Sequence, residues 1–156
     1  MTIKRSHLLA GLIAAAAIGF SIFGFLTWRV TTVEHASAAQ ALGRFAALRG
    51  TAVPIIEITP HGAVARRERT PHDAPPERLS RLHVLVYHRS SERLAESRIP
   101  FWFFRLKAPA AQYALDGTGL DFERLGITAA ELERFGPRVV VDHHTAAGNR
   151  VLIRTE

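Results

Sequence analysis

The sequence predicts an α+β protein in which an N-terminal transmembrane helix continues into a stalk helix and then into a small domain. That domain is expected to hold a small antiparallel or mixed sheet with short helices and a C-terminal β-hairpin. Three observations predict this order: an uncharged run at residues 8–28, a proline-free run at 29–49, and short apolar runs separated by turn residues across 51–156.

Composition excludes several classes of function. The chain has 156 residues and no cysteine, so disulfides, thiolate metal sites and a cysteine nucleophile are excluded. Lysine and arginine number 20 against 14 aspartates and glutamates, which gives a net charge of +6. The basic residues are nearly all arginine and are scattered along the chain, so we expect no nucleic-acid partner.

Residues 8–28 form the predicted membrane anchor. As a helix they would run roughly 31 Å at about 1.5 Å per residue, which matches the hydrocarbon core of a bilayer. A cleaved signal peptide is the alternative, because the small residues at 36–38 resemble a cleavage site, but the apolar run is long and that site is distant. Lys4 and Arg5, in a tip at 1–7, predict a cytoplasmic N-terminus in a bacterial inner membrane and a periplasmic domain at 51–156.

One stripe of the predicted anchor carries small residues at every fourth position: Gly11, Ala15 and Gly19. Small side chains allow two membrane helices to approach closely, so the stripe predicts contact with a membrane-protein partner or a homodimer within the lipid bilayer. An alanine-rich helix also produces such a stripe by chance, and this alternative stays open.

Residues 29–50 are predicted to continue the anchor as a stalk helix. The segment has no proline and places apolar residues close to one helix face, and Gly50 supplies a helix stop. The apolar positions are Ala38, Leu42, Phe45 and Leu48. The alternative is a mobile linker, which would leave these apolar side chains in water.

The domain at 51–156 is long enough for one core. Strands are predicted at 52–59, 63–69, 81–89 and 98–109, the last with four aromatic residues at 101–104. A helix is predicted to begin after Thr128, which forms a capping box with Glu131, and to end at Gly136. Two strands around residues 146–149 are predicted to form the C-terminal hairpin.

The first of these hairpin strands ends in Asp142, His143 and His144. The stretch VVVDHH resembles the motif that names the DHH phosphoesterase family, in which an apolar strand delivers these side chains to a two-metal site. Family members also carry an Asp-x-Asp pair, which this chain lacks. Adjacent strand residues point to opposite faces, so Asp142 and His144 share a face and His143 does not. We therefore predict an ordinary strand with no metal; a membrane-tethered metal-dependent hydrolase using Asp142 and His144 is the alternative.

The aromatic residues Phe101–Phe104 are expected to lie in the core. Alternatively, Phe101 and Trp102 form a binding surface for a lipid or small ligand, together with Lys107, the only lysine beyond the tip. Serine-hydrolase, phosphate-loop and dinucleotide signatures are missing, so no catalytic residue and no cofactor is predicted. The leading hypothesis is a binding domain that serves as an accessory or assembly component of a membrane complex.

Overall fold

Seven strands and three helices account for the regular structure in the described part of the chain. A computed structural model describes residues 31–71, 73–105, 115, 118, 120 and 125–156. The strands are β1 (Thr31–His35), β2 (Ile56–Ile58), β3 (Val64–Arg67), β4 (Arg81–His88), β5 (Arg93–Pro100), β6 (Val139–His144) and β7 (Arg150–Thr155). The helices are α1 (Ala38–Arg49), α2 (Phe101–Arg105) and α3 (Ala129–Phe135).

The strands form one mixed sheet in the order β1-β5-β4-β7-β6-β2-β3. Neighbouring strands are antiparallel except for β2 and β6, which are parallel. The described sheet therefore ends at β1 on one side and at β3 on the other. Residues 31–156 form one compact unit around this sheet.

Helix α1 packs on one face of the sheet, which we call the helix face. The helix begins with a capping box, in which the Ser37 hydroxyl accepts from the Gln40 backbone and the Gln40 side chain accepts from the Ser37 backbone. It ends at Gly50, whose φ of 57° suits glycine. The buried side chain of Phe45 joins a core cluster with the sheet residues Leu85, Tyr87, Leu94 and Leu152.

The opposite face of the sheet is also covered. Side chains alternate along a strand, so the residues between those of the helix face point the other way. They are Val84 and Val86 of β4 with Val151 and Ile153 of β7, and all four are buried. Burial on both faces explains why the central strands are almost continuously apolar.

The predicted stalk helix across 29–50 is wrong in its first half. Thr31, Thr32 and Val33 are β-branched, which favours extended backbone, and they pair with β5 as strand β1. Helix α1 starts only after Ser37, because the Ser37 side chain caps its first turn. The fold is therefore a mixed α+β fold with a seven-stranded sheet, and the architecture of a transmembrane helix running into a stalk is corrected.

The prediction of a single-pass membrane protein is also corrected. Within the part of the chain that the structure describes, no helix combines the length and the apolar character needed to cross a bilayer. The proposed anchor at 8–28 and its stripe of Gly11, Ala15 and Gly19 lie outside the described residues. The inner-membrane location and the periplasmic side of the domain stay predictions.

The strand predicted at 98–109 ends earlier than expected. Strand β5 begins at Arg93 and ends at Pro100, after which Phe101–Arg105 turn into the short helix α2. Ser80 anchors this change of direction, because its carbonyl accepts a hydrogen bond from the Phe101 backbone at 3.0 Å. The aromatic residues therefore lie around one helical turn instead of alternating across a sheet.

Candidate functional site

The outer side of β1 is an open sheet edge. One side of β1 pairs with β5, and no strand among the described residues pairs with the other. The Ala36 backbone donates to the Glu92 carbonyl at 2.9 Å, which fixes the phase of the antiparallel ladder. Because bonded pairs alternate, Thr32 and Glu34 direct their backbone groups at β5. The residues that direct their backbone N–H and C=O groups outward are Thr31, Val33 and His35.

This β1 edge lacks several of the features that keep sheet edges from pairing. Its strand contains no proline, lysine, arginine or bulge, and the Val33 side chain is 57% exposed. The other end of the sheet is different: β3 carries Arg66 and Arg67, and its pairing with β2 shifts register between Glu57 and Ile58. Of the two described edges, β1 is the one prepared to accept another strand.

A cavity of about 350 Å³ lies beside the β1 edge, between β1 and α1. Leu94 contributes an apolar surface to it, and Glu34 and Arg44 contribute opposite charges. The space beside Gly43 on the helix side is open, since a methyl group added there would meet no atom within 4 Å. A side chain projecting from a strand added to β1 on the helix face would therefore find space and polar groups here.

The charges behind this cavity centre on Glu96. Its carboxylate receives hydrogen bonds from Arg44 on α1, from Arg98 on its own strand, and from His83 on β4 at 2.9 Å. Burial works to raise the pKa of Glu96, but these hydrogen bonds hold the pKa below its ordinary value. Glu96 stays ionised near neutral pH and fixes Arg44 beside the cavity.

His83 resembles a catalytic imidazole in its surroundings but not in its accessibility. Its Nε2 contacts Glu96 and its Nδ1 lies 3.4 Å from a carboxylate oxygen of Glu156. Both ring nitrogens are thus engaged, and the side chain is buried. The arrangement ties Glu156 to the sheet and leaves no imidazole nitrogen to reach a substrate.

The Asp142 carboxylate is paired with two arginines. Arg150 donates to both of its oxygens, at 3.0 and 2.9 Å, and Arg49 of α1 lies 3.0 Å from one of them. The side chain is only 4% exposed. A cation bound to Asp142 would have to displace two guanidinium groups from a buried position.

The two histidines after Asp142 separate as the strand alternates. His143 pairs with Val151 and lies on the opposite face, where it is buried, whereas His144 pairs with Arg150 and is exposed. Desolvation lowers the pKa of both imidazoles, by full burial at His143 and by partial covering of the ring at His144. A hydrogen bond to the Ile58 backbone works against the lowering at His143, and Arg150 adds to it at His144. No group of three or more potential metal ligands occurs among the described residues.

The aromatic residues of α2 differ in exposure. Phe101 is buried, Phe103 and Phe104 are half-buried, and Trp102 is 57% exposed. The rings of Phe101 and Phe104 pack with centroids 5.7 Å apart, and Trp102 meets Phe103 edge to face. Lys107, the third member of the predicted binding surface, lies outside the described residues.

The predicted stalk helix covers residues 29–37, so neither a strand at β1 nor a sheet edge there is predicted from the sequence. Two local signals pointed the other way: the β-branched run of Thr31, Thr32 and Val33, and the Ser-x-x-Gln capping box from Ser37 to Gln40. Together they place a strand before a helix start.

No protein-family model, no curated protein and no solved structure matches this chain. The support for a function therefore comes from the geometry of the described residues.

Proposed function

We propose that residues 31–156 form a protein-binding domain that serves as an assembly component, and that the β1 edge receives an extended segment of its partner. The observation that carries the proposal is the edge of β1, which no described strand covers and which has no proline, lysine, arginine or bulge. Strand addition to such an edge takes its affinity from main-chain hydrogen bonds and its specificity from pockets for alternate side chains.

The side chains around β1 support this mode of binding. Thr31, Val33 and His35 share one face, while Thr32 and Glu34 lie on the helix face, where Glu34 lines the cavity. Every second side chain of an added strand would therefore lie on the helix face, the same face as Glu34 and Arg44. Partner segments with β-branched residues and a polar or charged residue at the cavity fit this surface best.

A peptide selection tests the proposal without a known partner. Random nonapeptides displayed on phage are selected on the immobilised full chain, and single peptides are then titrated against two variants. Val33→Pro removes an outward N–H and leaves the β5 ladder intact, so the selected peptides should bind it at least about tenfold more weakly. Val33→Thr keeps both the N–H and the β-branched shape, and it should bind as the wild type does.

A thermal unfolding curve for each variant confirms that it is folded before the titration. Peptides that bind Val33→Pro as tightly as the wild type would show that the β1 edge is not the binding site.

A further inference from the structure

We infer that the segment added to the β1 edge is β1 of a second copy of this chain, in an antiparallel dimer with Val33 on the two-fold axis. This inference rests on the proposed function, because it needs β1 to accept a strand. It adds the identity of the partner.

The phase of the ladder makes β1 complementary to itself. Thr31, Val33 and His35 expose their backbone groups, and a two-fold axis through Val33 sets Val33 opposite Val33 and Thr31 opposite His35. The Thr31–His35 pair occurs twice, so the dimer has three such pairs, and each exchanges two hydrogen bonds, which gives about six. All outward groups of the strand are used in this register.

Other registers of the same strand use fewer groups. An axis through Thr32 or Glu34 would pair only two of the three outward residues within the strand, which gives about four hydrogen bonds instead of six. An axis through Glu34 would also place two carboxylates in direct opposition, which destabilises a pair. An axis through Thr31 or His35 overlaps only the ends of the two strands.

The side chains agree with the Val33 register. Two exposed valines meet at the axis as a β-branched pair, and Thr32 faces Glu34 so that no like charges are opposed. Thr32 also neighbours Glu96, which holds Arg44. Glu34 of the second copy would therefore approach a guanidinium that is 53% exposed. At the β3 edge, by contrast, each copy would contribute Arg66 and Arg67, so like charges would come close together.

The absence of cysteine makes a direct test available. In the full chain, Val33→Cys places two thiols opposite each other across the two-fold axis. The Cα atoms of a hydrogen-bonded antiparallel pair lie about 5.5 Å apart, which is within the range that a disulfide spans. Mild oxidation should convert this variant to a disulfide-linked dimer, and the yield of dimer should stay the same when the protein is diluted before oxidation. Val64→Cys, at an exposed position of the opposite edge, is the matched control and should stay monomeric.

Sedimentation of the variants without cysteine completes the test. The wild-type full chain should dimerise, and Val33→Lys should raise the dissociation constant of the dimer at least about tenfold by opposing two ammonium groups. Val64→Lys should dimerise as the wild type does.

The outcomes separate the two proposals. A wild-type chain that is monomeric, or a dimer that Val33→Lys leaves unchanged, overturns the second-copy inference; Val33-dependent peptide binding would then still support the binding domain. Loss of both the dimer and the Val33-dependent peptides overturns both.

Discussion

Arg150 donates two hydrogen bonds to Asp142, and its guanidinium carbon lies over the ring of Phe45 at 4.5 Å from the ring centroid. The residues come from β7, β6 and α1, so one guanidinium joins two strands to the helix above them. Arg49 adds a second cation from the end of α1. Asp142, the acidic residue of the VVVDHH stretch that resembles a metal-enzyme motif, therefore serves to attach helix α1 to the sheet.

Asp142→Asn should lower the free energy of unfolding by about 3–5 kcal/mol, because it leaves the largely buried guanidinium of Arg150 without its counter-charge. Urea unfolding of both proteins measures the difference. Glu57→Gln is the control, since its exposed pair with Arg66 should contribute less than about 1 kcal/mol. Equal losses from the two substitutions would show that the Asp142 network is not a structural joint.

Phe45→Ala should cost about 3–5 kcal/mol, because Phe45 is fully buried between α1 and the sheet. The substitution also removes the ring beneath Arg150. Leu42→Ala lies on the same helix at an exposed position and should change stability by less than about 0.5 kcal/mol. Thermal unfolding compares the two, and a similar effect from both would contradict the packing of α1 through Phe45.

Local signals predicted the later elements well. Helix α3 starts at the capping box of Thr128 and Glu131 and ends at Gly136, because these residues satisfy the helix ends through their own side chains and backbone. The strands β6 and β7 pair around Gly148, whose φ of 80° suits the turn between them. Each of these features depends on residues close together in the sequence.

Local signals before Ser37 favour a strand over the predicted stalk helix, but the pairing of that strand depends on distant residues. Thr31–His35 becomes a strand through pairing with Arg93–Ser97, about sixty positions away, and helical periodicity carries no information about that pairing. The candidate site depends on sheet order, since β1 is an edge only because β5 is its single described neighbour. Sheet order cannot be obtained from patterns along one strand.

His143 should make stability sensitive to mild acid. Its folded pKa lies below the unfolded value of 6.5, mainly because burial penalises the charged form. Between these two values the unfolded chain binds more protons than the folded one, so its contribution to stability is complete above pH 6.5 and is lost as the pH falls through that window. The slope for one such proton approaches about 1.4 kcal/mol per pH unit.

His143→Gln should therefore reduce the fall in unfolding free energy between pH 7.5 and pH 5.5, measured by urea unfolding at each pH. The glutamine amide has a donor for the Ile58 backbone but no titrating group. His61→Gln, in an exposed turn, should leave the full pH dependence in place. Some dependence should persist in His143→Gln because the pKa of His144 is also lowered. If both variants kept the wild-type slope, protonation of His143 would not be coupled to unfolding.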